Sequence, residues 1–120
     1  MDDSESILIS CKKVVSGLPG EDDSFDLDLL MFINSTLAIL TQIGIGPPEG
    51  LIVKDASTAW SDFSDNMLVP AYVSMKVRYQ FDPPVTTAVK EALIANISEL
   101  EWRLGVSEDD TNTSGDENAE

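Results

Sequence analysis

Carboxylates dominate the chemistry open to this chain of 120 residues, which holds 22 Asp+Glu, 7 Lys+Arg, one Cys and no His. Without His it lacks the commonest general base and the commonest zinc ligand. Glu99 and Glu101 come nearest to an acid/base pair, but residues two apart on a helix point to different sides. Glu99 is spaced to pair with Arg103 at i+4 instead. The acidic run from Glu21 to Asp28 invites a calcium-loop reading. Setting loop position one at Asp22 puts Leu27 where Gly is required and Ile33 where a bidentate Glu is required, so the match fails. Gly44-x-Gly46 is followed by two prolines rather than a helix and is no phosphate loop. Ser and Thr have no His partner and no nucleophile elbow. Asp62 and Asp65 read as loop and cap residues. Cys11, alone, makes no internal disulfide or thiolate cluster and reads as a small apolar core residue. No catalytic, cofactor or metal site is expected, and no enzyme.

These residues are carried by a chain of single-domain length with a formal net charge of -15 and 42% hydrophobic residues. That charge argues against non-specific nucleic-acid binding, which Lys and Arg drive. The start, Met-Asp-Asp-Ser-Glu-Ser, does not read as a secretory signal. The most apolar window, Leu27 to Ile43, is interrupted by polar residues, so no membrane span is expected. Synthesis in a cytosolic environment is expected, and the Asn-x-Ser/Thr matches at Asn34, Asn96 and Asn112 then read as chance. Residues 107–120 hold six acids and no base. Removing those six from the total leaves the rest at -9. Such a segment cannot offset its ordering entropy by burial, so 106–120 reads as a disordered acidic tail after a domain at 1–105.

The domain reads as all-α, a small bundle of about four main helices plus one short helix. Helix one spans about Asp3 to Ser16, with Ile7, Cys11, Val14 and Leu18 in phase, and Gly17-Leu18-Pro19-Gly20 stops it. Helix two spans about Asp26 to Ile43, capped by Ser24 or Asp26. Leu30, Ile33, Leu37 and Leu40 form one stripe, and Leu29, Phe32, Ile39 and Ile43 a second. A helix apolar on two sides belongs in the middle of a bundle. Gly44 to Pro48 ends it and opens a long loop. A short helix at 57–63 presents Trp60 and Phe63. Helix four, Val69–Gln80, turns at Asp82-Pro83-Pro84, with Asp82 as cap, into helix five, Val85–Leu104, closed by Gly105. Val89, Leu93, Ile97, Leu100 and Leu104 are its stripe. The short connection makes helices four and five an antiparallel pair. Lys76, Arg78 and Lys90 on this hairpin are candidates for contacts with a neighbour's acids. Trp60 and Trp102 read as core or interface anchors.

The order of these segments resembles a known family. It includes Phe25-Asp26, Gln42-Ile43-Gly44-Ile45-Gly46 and Trp60-Ser61-Asp62-Phe63. Then come Lys76-Val77-Arg78, Phe81-Asp82-Pro83-Pro84 and Glu99-Leu100-Glu101-Trp102-Arg103-Leu104. Over roughly 5–105 the chain resembles the small head–tail connector (adaptor) proteins of long-tailed bacteriophages. The resemblance implies a non-enzymatic virion subunit that forms a ring, dodecameric in the particle, under the portal protein. The ring would extend the DNA channel, without specific DNA binding, and dock head-closure or tail-completion proteins. The family's motif positions fall on Trp60, Phe81, Asp82, Pro83, Pro84, Trp102 and Arg103, as determinants of fold and packing.

Two binding alternatives compete. An acidic DNA mimic or anti-restriction inhibitor needs acids spaced like phosphates over one surface, whereas here six lie in the tail and others cluster at helix starts. A scaffold needs sustained coiled-coil heptads, which no helix here supplies.

Overall fold

The computed structural model describes residues 6–14 and 24–119, with side chains described up to Gly105. Its helices are α1 (Ile7–Val14), α2 (Asp26–Gln42), α3 (Trp60–Phe63), α4 (Leu68–Phe81) and α5 (Thr87–Ala119). Among the described residues there is no strand, and the small all-α bundle is confirmed. The Gly17–Gly20 stop and the first acids of the 21–28 run lie outside the described residues.

Helix α4 is the hub, packing against α1, α2 and α5. Its sequence accounts for this. Val69, Tyr72, Val73 and Val77 are all buried, giving one broad apolar face. From α2 come Leu29, Ile33, Leu37 and Leu40, from α1 Ile7, Leu8 and Cys11, and from α5 Leu93, Ile97 and Leu104. Each fully buried large aliphatic side chain contributes about 1.5–3 kcal/mol of transfer free energy.

Helix α2 ends in a Schellman arrangement. The Gly44 amide donates to the Thr41 carbonyl and the Ile45 amide to that of Leu40. Gly44 takes a positive φ, and buried Ile45 packs into the same core as Leu40. The stop expected there is therefore real, and so is the long loop that follows. That loop is pinned along its length. Asn34 of α2 pairs with the backbone of Val53, and Gly46 passes directly over the Phe63 ring. Its end meets α1, where Ile7 donates its amide to the Thr58 carbonyl and Ser6 bridges to Ala59.

Several expectations change. Phe25, not Ser24 or Asp26, occupies the cap position of α2, with no side-chain cap bond. Ile39 and Ile43 of the second stripe are exposed, because α2 is covered on the sides facing α1 and α4 rather than all round. Val89 is likewise exposed, lying in the first turn of α5. Asp82 caps the C-terminus of α4, donating its amide to the Arg78 carbonyl, and does not start α5. The residue before a proline is kept out of helical geometry, so Pro83-Pro84 interrupt the helix, and a bend at Val85-Thr86 leads into α5 at Thr87. Gly105 does not close α5; the backbone stays helical to Ala119. An interior glycine costs only about 1 kcal/mol relative to Ala, and no proline follows to enforce a stop.

Candidate interaction site on the α4–α5 hairpin

The corner of the hairpin is built from Phe81 to Pro84. Phe81 meets Phe25 edge-on at 5.5 Å between ring centres and Phe32 at 6.5 Å. That locks the C-terminus of α4 to the start of α2. Asp82 and Pro84 are half-buried and Pro83 is exposed. A shallow depression of about 350 Å³ runs from Arg78 past Asp82 to Val89.

Several turns further along the pair, α4 and α5 are bonded through Glu101. Its Oε2 accepts from the Tyr72 hydroxyl at 2.8 Å and lies 3.4 Å from Lys76 Nζ. Tyr72 is fully buried, and burial together with the neighbouring carboxylate raises its pKa well above the ordinary phenol value. Glu99 turns the other way and accepts from Arg103 at 3.0 Å on the exposed face. The two carboxylates therefore serve separate ion pairs, as their spacing requires. Lys76, a candidate for contacts between subunits, has a carboxylate partner within the chain, and so has the motif residue Arg103.

Trp60 is buried, donating its indole N–H to Ser10 Oγ at 3.2 Å and so joining α3 to α1. Trp102 is different. It is 66% exposed and fills no core space, because the adjacent buried positions on α5 are Ile97 and Leu104. Of the motif positions it is the large apolar side chain turned to solvent.

Three structural contacts had escaped notice in the sequence. Lys12, only 2% exposed, lies 2.9 Å from Asp26 at the start of α2. Asn34 anchors the loop. Tyr72 joins α4 to α5 through its hydroxyl as well as through its ring. The visible signal for each was a polar residue inside an apolar stripe. Cys11 is buried beside Ser74, and burial pushes its thiol up to about 12, so it is unreactive at neutral pH. Among the described residues no group of three or more acids or thiols is placed to hold a metal ion. Among them too, no helix is long and apolar enough to cross a membrane.

The model of the phage connector protein family matches residues 7–111. The chain belongs to the phage connector protein family. The match takes in α1 through most of α5 and every motif position named above. No curated protein and no solved structure matches the chain. Membership assigns the connector a structural role at the head–tail junction.

Proposed function

We propose that this connector assembles as a ring, of about twelve copies, beneath the portal of the phage capsid. The ring prolongs the DNA channel and offers its far side to a head-closure or tail-completion protein. The observation that carries this is the family match over nearly the whole folded unit. The charge supports it. A conduit must let duplex DNA slide without adhering, and acidic walls repel phosphate where basic walls would hold it. At -15 per chain, twelve copies carry roughly -180, enough for a negative lumen. The segment beyond Gly105 adds six of the acids on each subunit. The subunit works without catalysis, as a component of the virion.

Cryo-electron microscopy of intact particles tests this reading. A ring of this chain stacked on the portal, threaded by DNA, is the expected image. Mature particles without the protein would refute it.

A further inference from the structure

An open groove of about 570 Å³ runs between α4 and α5 and past the end of α1. Its floor is apolar or small: Ala71 and Met75 from α4, Val89 and Leu93 from α5. Arg78 is the charged residue among those lining it, and Arg78 forms no ion pair among the described residues. Lys13 and Lys90 adjoin the lining residues Val14 and Val89 in sequence and also lack such a pair. Against these bases, Asp82 lies in the adjoining depression and Glu91 on α5. The groove is thus a largely apolar slot whose one charged lining residue is a base, Arg78, on a chain of net charge -15.

A complementary surface exists elsewhere on the same chain. At the start of α2, Leu27 is 83% and Met31 62% exposed, one helical turn apart on one face. Asp28 lies between them, exposed, and forms no ion pair among the described residues. No α2 residue lines the groove.

We propose that the groove receives the α2 edge of a second copy, Leu27 and Met31 entering it and Asp28 meeting Arg78. This rests on the ring reading above and names its subunit contact. Knob and groove are different surfaces of one chain, so the contact is heterologous, and heterologous contacts that close generate rings. Two side chains in a slot fall well short of the roughly 800 Å² per partner of a stable pair. Free subunits therefore remain apart, and the ring closes where the portal gathers them.

The test uses particles assembled with variants of the full chain. Native Cys11 is buried and silent, so Met31→Cys with Ala71→Cys provides the reactive thiols for a short bismaleimide. The expected product is a ladder of linked copies that needs both cysteines. Dimers from Ala71→Cys alone would mean a self-paired face, and linkage of Ala71→Cys to the portal would mean another occupant; either overturns the proposal. Asp28→Arg and Arg78→Asp should each deplete the ring, and the double exchange should restore it, with thermal melts showing that all three variants fold. Failure of the exchange to restore the ring overturns the contact. A ring present in particles without linkage defeats the contact and leaves the connector reading intact, whereas absence of the ring defeats both.

Discussion

Asn34 and Val53 are paired like neighbouring strands. The Asn34 carboxamide donates from Nδ2 to the Val53 carbonyl at 3.0 Å and accepts the Val53 amide on Oδ1 at 2.8 Å. One side chain on α2 thus satisfies both backbone groups of a residue that is 1% exposed in a long loop. Replacing Asn34 with Ala leaves both groups buried without partners, which costs about 2–3 kcal/mol. Asn34→Asp keeps the acceptor and loses the donor, so it should fall between. Urea denaturation of the three proteins checks the order; an Ala variant as stable as the parent would show that the loop is held by Val53 packing alone.

This pairing also marks where sequence reading reaches its limit. The α4–α5 pairing follows from apolar periodicity and from Pro83-Pro84, but the central place that two apolar stripes suggest for helix two belongs to α4. The α2 stop at Gly44 follows from backbone rules that act within a few residues. Asn34, Lys12 and Tyr72 depend on partners 14 to 29 positions away, and no local rule states which distant group will meet a polar atom inside a stripe. Trp102 fails for the converse reason. Its size argues for burial, but its angle on α5 is set by Leu93, Ile97 and Leu104, which already face α4. Of the candidate interface residues, composition and spacing found the hairpin corner. Spacing also gave the Glu99–Arg103 pair, but it did not show that Lys76 is satisfied within the subunit while Arg78 is left to line a groove.

Gly46 tests the packing of the loop against α3. It has a φ of +85°, and an added Cβ would sit 2.5 Å from Cε1 of buried Phe63. Gly46→Ala combines a left-handed backbone penalty of roughly 1–2 kcal/mol with overpacking of about 1–3 kcal/mol. Gly50 has the same φ with open space around its Cα, so Gly50→Ala should show the backbone part alone. A thermal-melt comparison separates the two. Adding Phe63→Leu to Gly46→Ala should recover part of the loss if the ring is the obstacle.

The Lys12–Asp26 pair should be asymmetric. Lys12 is buried, whereas Asp26 retains some exposure at the start of α2, where the helix dipole favours a carboxylate. Asp26→Asn leaves an ammonium buried beside a neutral amide and should cost about 2–4 kcal/mol, toward the figure for a broken buried pair. Lys12→Met leaves a partly exposed carboxylate with its Oδ1 buried, at a favourable helix end, and should cost less, about 1–2 kcal/mol. Equal losses in denaturant would show that position, and not charge, governs the site.

Alkaline stability follows from Cys11 and Tyr72. Both have folded pKa values raised above their ordinary values of 9.0 and 10.0. Above those values the unfolded chain releases a proton that the folded chain keeps. The folded state then binds more protons, and stability falls as pH rises. The contribution of each group is complete below its unfolded pKa. The loss sets in near pH 9 through Cys11 and near pH 10 through Tyr72. Cys11→Ala and Tyr72→Phe should each flatten this limb between pH 9 and 12 and leave the slope near pH 7 unchanged. Unfolding free energies measured across that range give the slopes directly.

Gly105→Ala decides whether α5 behaves as one helix past the core. Gly105 lies within α5, has no left-handed φ, and an added Cβ would meet nothing within 4 Å. In a continuous helix the change therefore adds propensity without a clash, worth about 1 kcal/mol in favour of the variant. Had Gly105 been a left-handed cap, the same substitution would cost about that amount instead. The sign of the effect is thus diagnostic. The expected outcome is a higher melting temperature and greater helical circular dichroism for the variant. A lower melting temperature would restore Gly105 as the end of the helix and detach the acidic segment from it. That segment holds six acids and no base, so its continuity with α5 decides whether those charges are carried on a rod fixed to the bundle or on a separate chain end.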